Sequence, residues 1–132
     1  MQLLNKNSNN DSILNASQIG VEFEFYSNHG LEETQKQLKS LLGRDISLET
    51  KAHSDFVPDD KTFKMEPDMS GGKGLIELVT GAVPYRNARI MIIKMLNWIS
   101  ENGYTTERSS IHLNLSFQNE YLEDKYMISK MN

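Results

Sequence analysis

The sequence predicts an α+β fold: a mainly antiparallel sheet with helices packed on one face. Three observations predict it. Residues 19–26 and 110–117 alternate apolar and polar side chains, the period of a half-buried strand. Residues 31–42 and 84–102 instead carry apolar residues at helical spacing. The order is strand, helix, several strands, helix, strand, which suits helices covering the apolar face of one sheet.

Residues 1–17 are polar and rich in Asn and Ser, and read as a flexible lead to one domain over 18–132. The first strand sets Val21, Phe23 and Phe25 against Glu22 and Glu24. Gly30 precedes a helix whose Leu31, Leu38, Leu41 and Leu42 share a face. Glu32 and Glu33 suit its positive N-terminal end, and Gly43 suits its stop. A short strand is expected over 46–49, then a loop through Pro58, Asp59 and Asp60. Residues 62–68 alternate again, with Phe63 and Met65 opposite Lys64, Glu66 and Asp68; Pro67 marks an edge strand or a strand end.

After a glycine-rich turn at 70–74, residues 75–83 form the next strand, with Glu77 inside an apolar run. Pro84 opens a helix to about Asn102, with Ala88, Ile92, Met95, Leu96 and Ile99 on its inner side and Gly103 as its stop. Met91 and Trp98, seven apart, read as core before they read as a partner-facing stripe. The last strand sets Ile111, Leu113, Leu115 and Phe117 against His112, Asn114 and Ser116, and from Glu120 onward the pattern is helix-like but short.

Composition narrows the function classes. The 132 residues fit one modest core, with 38% hydrophobic and 24% charged residues. A net charge of -4 argues against a nucleic-acid backbone binder. No apolar run approaches the length of a membrane span. The chain has no cysteine, which excludes disulfides and thiolate metal sites and suits a reducing cytoplasm.

The unusual chemistry sits on the polar side of the strands. Glu22 and Glu24 emerge on one face about 6.5 Å apart, where two full charges repel by roughly 2.5 kcal/mol at an effective dielectric near 20. Glu66, Asp68 and Glu77 would add to that charge, and the two remedies are protonation or a bound cation. Oxygen ligands with an occasional imidazole suit Mg²⁺ or Mn²⁺, and His112 supplies the imidazole. A sheet with one solvated face shows the same alternation with no function attached. It does not readily explain Glu77.

Gly20-Val-Glu22-Phe-Glu24, the segment 65–70 with Asp68 and Ser70, Glu77-Leu-Val-Thr80, and Ile111-His112-Leu-Asn114 occur in that order. Together they resemble the amidoligase branch of the carboxylate–amine ligase superfamily, which includes glutamine synthetase and glutamate–cysteine ligase. The resemblance covers about residues 19–117 and implies the N-terminal half of a glutamine synthetase-like catalytic domain. It implies metal roles for Glu22, Glu24, Asp68, Glu77 and His112, with Glu66 able to replace Asp68. It also implies ATP with Mg²⁺ or Mn²⁺, and small-molecule or peptide carboxylate and amine substrates. The implied reaction is phosphorylation of the carboxylate and amine attack on the acyl phosphate.

Lys64, Lys73 and Arg86 are the candidate phosphate contacts; no catalytic residue is assigned. Ser70-Gly-Gly-Lys73-Gly74 lacks Walker spacing and reads first as a strand connection. Two departures stand out. Ile111 precedes the histidine where the family has glycine, and Asn114 stands where a second histidine is common. Family domains also continue well past the histidine strand. Three expectations stay open: a fragment, a half completed by self-association or a partner chain, or a non-catalytic assembly protein that retains the sheet.

Overall fold

The alternation that predicts the first strand also sets the sheet's two faces. In the computed structural model, which describes residues 17–50, 55–67 and 74–116, β1 (Gln18–Ser27) buries Val21, Phe23 and Phe25 completely. Glu22 and Glu24, between them, emerge on the opposite face. Helix α1 (Leu31–Leu42) follows, then β2 (Asp45–Leu48), β3 (Thr62–Pro67), β4 (Leu75–Val79) and β5 (Val83–Pro84). Helix α2 (Tyr85–Asn102) leads to β6 (Gly103–Tyr104) and β7 (Ile111–Ser116).

The fold is α+β, as the alternation and helical spacing predict. The strands lie in the order β2-β3-β4-β1, with β5 continuing along the β4 edge of β1 and β6 and β7 pairing its other edge. Every pairing is antiparallel except β2 with β3. That parallel pair requires the connection between β2 and β3 to return the chain to the end of the sheet where β2 starts, and there the Asp45 N–H donates to the Lys61 carbonyl at 3.2 Å. Pro67 closes β3, whose two edges are both paired, so it marks a strand end.

Two helix stripes differ from the expected ones. In α1, Thr34, Leu38 and Leu42 are buried while Leu31 is exposed. The Thr34 hydroxyl bonds the Ser27 hydroxyl at 2.6 Å, anchoring the helix at the end of β1. In α2 the buried residues are Ala88, Met91, Met95, Trp98 and Ile99, and Leu96 is exposed. Contact with α1 rotates the stripe: the Trp98 indole N–H donates to Gln37 at 3.0 Å, and its ring meets Phe25 edge-on. Met91 and Trp98 are therefore core.

The expected strand over 75–83 is interrupted at Thr80. The buried Thr80 hydroxyl accepts the Val21 N–H at 2.9 Å and donates to the Gly81 carbonyl at 2.8 Å. Both glycine stops hold. Gly43 takes the left-handed conformation at φ 64 and donates its N–H to the Lys39 carbonyl. Gly103 lies so close to β1 that a Cβ would come within 2.1 Å of the Tyr26 carbonyl oxygen. Among the described residues, no helix is long and apolar enough to cross a membrane. Of the lead expected over residues 1–17, residues 1–16 lie outside the described residues, as does the helical pattern after Glu120; Ser17 is buried, and its carbonyl accepts the Tyr85 N–H at 3.2 Å.

Candidate metal-binding face

Strand pairing turns single-strand alternation into rows of side chains. Residues directly opposite in antiparallel strands share a face, so each register line names neighbours. Glu24 faces Glu77 across β1 and β4, and Glu77 faces Glu66 across β4 and β3. Three carboxylates thus cross three adjacent strands in one row. The next row, two residues along, contains Lys64, Val79, Glu22 and His112. The strands are about 4.8 Å apart and the rows about 6.6 Å.

Several side chains already compensate one another. Glu66 is only 4% exposed, and its carboxylate lies 3.6 Å from the Lys64 ammonium, itself largely sheltered. A pair this sheltered is harder to break than a surface pair, because losing one partner leaves a buried charge. Lys64, expected at a phosphate, therefore serves a carboxylate in this structure. Glu22 Oε2 lies 3.3 Å from His112 Nδ1, and the Ser110 hydroxyl lies 3.1 Å from His112 Nε2. One neutral tautomer satisfies both contacts: Nδ1–H donates to Glu22 and Nε2 accepts from Ser110.

The structure therefore brings Glu22, Glu24, Glu77 and His112 to one face, as expected, with Glu66 beside them. Asn114 continues β7 opposite Gly20, one row beyond His112. Arg86 is exposed in the first turn of α2. That helix packs on the Phe23 face, so Arg86 belongs to the layer on the far side of the sheet from the carboxylates. Asp68 and Lys73 lie outside the described residues.

The donor chemistry, carboxylate oxygens with one imidazole, fits a hard divalent cation. As oriented here the groups are not gathered: among the described residues, no three His, Asp or Glu side chains are grouped so as to hold one ion. Tyr26 continues the acidic face of β1, stacked in parallel on Tyr104 with ring centres 4.8 Å apart. Its spacing from Glu24 was visible in the alternation; the partner strand β6 was not.

Fold and face together define a class: an α+β protein whose helix-backed mixed sheet presents carboxylates and a histidine from four strands. No family model, curated protein or solved structure matches the chain.

Proposed function

We propose that the carboxylate face binds Mg²⁺ or Mn²⁺ with ATP, and that the chain acts as a carboxylate–amine ligase of the amidoligase kind or as part of one. The observation that carries this is the Glu66–Glu77–Glu24 row beside the Glu22–His112 pair. Glu24 and Glu77 would hold the ion. Glu22 would orient His112 through Nδ1, leaving Nε2 as the ligating atom once Ser110 releases it, an arrangement common around metal-bound histidines. A bound divalent ion would supply charge neutralisation for phosphoryl transfer from ATP to a substrate carboxylate. A cytoplasmic location, with its ready supply of Mg²⁺ and ATP, belongs to the same proposal.

Thermal unfolding of the full chain with millimolar Mg²⁺–ATP tests it. Ligand binding to the folded state raises the midpoint, and Glu24→Ala with Glu77→Ala abolishes the rise. No rise in the folded wild-type chain counts against the proposal.

A second reading is a non-catalytic assembly protein that keeps the sheet. The Lys64–Glu66 pair favours it, because that charge is already balanced within the chain. It predicts that Mg²⁺–ATP leaves the heat of a calorimetric titration at the dilution baseline.

A further inference from the structure

A serine hydroxyl is a weak nucleophile unless a neighbouring base takes its proton. Ser110 has such a base two residues along the chain. Its hydroxyl lies 3.1 Å from His112 Nε2, and His112 Nδ1 lies 3.3 Å from Glu22 Oε2. Hydroxyl, imidazole and carboxylate thus follow one another as a nucleophile, its base and the group that orients the base do in serine acyl transfer. Register explains the alignment. Ser110 directly precedes β7 and extends its pairing, since the Glu24 N–H donates to the Ser110 carbonyl at 2.9 Å. Residues two apart on a strand share a face, which puts Ser110 beside His112. The pairing of His112 with Glu22 then brings the carboxylate to the other ring nitrogen.

The backbone supplies the remaining part. The N–H and C=O of one strand residue point to the same edge, and successive residues alternate edges. The Ser110 carbonyl points at β1, so the Ile111 N–H points to the outer edge of β7. Among the described residues, β7 pairs only with β1. The N–H of the residue after the nucleophile is a recurrent donor to the oxyanion of acyl transfer. The His112 side chain is 57% exposed and that of Glu22 32%, so a substrate reaches them directly. Glu24 lies across from Ser110 on the same face, with Glu77 beyond it. Those charges repel an anionic substrate.

We propose that Ser110, His112 and Glu22 form an acyl-transfer site that hydrolyses esters carrying no negative charge. Ser110 Oγ attacks the ester carbonyl carbon, and its proton passes to His112 Nε2. The bond from that carbon to the alcohol oxygen then breaks. The alcohol leaves with the bonding pair and takes the proton from Nε2. Water attacks the acyl–Ser110 that remains, giving a proton to Nε2, and the Ser110 oxygen departs with its bonding pair and recovers that proton. One ester and one water become a carboxylic acid and an alcohol. Glu22 touches no reacting atom. It is a positioning residue that holds Nδ1–H, so that Nε2 faces the hydroxyl. The site needs no metal and stands apart from the ligase proposal, with which it competes for Nε2.

Full-length protein is given p-nitrophenyl acetate in the presence of a chelator, and the acid-quenched reaction is mapped by peptide mass spectrometry. The site predicts continued p-nitrophenol release and an acetyl group on Ser110. That mapping is made on the wild-type chain, so it does not depend on any variant folding. Ser110→Ala and His112→Gln should each lower kcat by about tenfold or more, while Ser100→Ala, an exposed serine on α2, matches wild type. Glu22→Gln should lower kcat with KM unchanged, and Glu22→Asp should recover part of it. Mono-p-nitrophenyl succinate, which adds a negative charge to the acyl group, should be cleaved about tenfold more slowly. Acetyl groups found only on lysines, or release unchanged in Ser110→Ala or His112→Gln, overturn the site; equal rates for the two esters overturn its charge preference. Release in chelator without a Mg²⁺–ATP rise in unfolding midpoint supports this site and counts against the ligase proposal alone; a rise without release does the reverse.

Discussion

Replacing Glu24 by glutamine keeps the shape of the side chain and removes one charge from the carboxylate row. Glu24 lies opposite Glu77 and two residues from Glu22 on the same face. Carboxylates about 6 Å apart repel by about 0.7 kcal/mol in bulk water and about 2.8 kcal/mol at an effective dielectric of 20. Glu24 and Glu77 are both partly exposed, so the lower part of that range applies. Glu24→Gln should therefore stabilise the metal-free chain by about 1 kcal/mol. Urea denaturation in the presence of a chelator measures it, with the slope of the transition checked for constancy. Added Mg²⁺ should reverse the order, because the wild-type face gains a ligand that the variant binds less well. A variant less stable than wild type without metal would refute the reasoning, since the Glu24 carboxylate would then be held by favourable contacts.

Three further outcomes follow from the geometry. Thr80→Val leaves the buried Val21 N–H without its side-chain acceptor and should cost about 1–3 kcal/mol in denaturant unfolding; hydrogen exchange at Val21 should quicken as well. Gly103→Ala drives a Cβ against the Tyr26 carbonyl, and the forced shift of β6 should cost about 1–3 kcal/mol by the same assay. Asp59 titrates below the ordinary carboxylate range because its carboxylate accepts the backbone N–H groups of Thr62 and then Lys61. A depressed carboxylate stabilises the fold above its unfolded pKa, and that contribution is lost as pH falls through the folded value. Asp59→Asn should therefore flatten the acid side of the stability–pH curve and leave its shape near neutrality unchanged.

Much of this architecture is written in local patterns. Period-2 alternation puts Glu22 and Glu24 opposite Val21 and Phe23, and puts His112 opposite Leu113, before any strand partner is known. Gly43 and Gly103 mark both helix ends. What local pattern cannot supply is pairing. Nothing near Ile46 or Phe63 specifies that their strands run parallel, because that depends on the connection between them, which returns the chain to the end of the sheet where β2 starts. The break at Thr80 depends on the Val21 N–H, 59 residues away. Leu96 and Trp98 both fit an apolar stripe of α2; contact with Gln37 on α1 decides which is buried. On the candidate face, alternation assigns the acids to one side, but the Glu66–Glu77–Glu24 row exists only through register. The Lys64–Glu66 pair is a same-strand neighbourhood that the sequence shows. Its closure depends on the shelter the folded sheet provides at Glu66.

The most direct test of a shared ion uses Mn²⁺ as a paramagnetic stand-in for Mg²⁺ in an amide-resolved NMR titration of the full chain. One ion on the carboxylate face predicts selective broadening centred on Glu22, Glu24, Glu77 and His112, lost in the Glu24→Ala, Glu77→Ala variant. Broadening centred on Glu32 and Glu33 or on Asp59 and Asp60, or none at millimolar Mn²⁺, would contradict it.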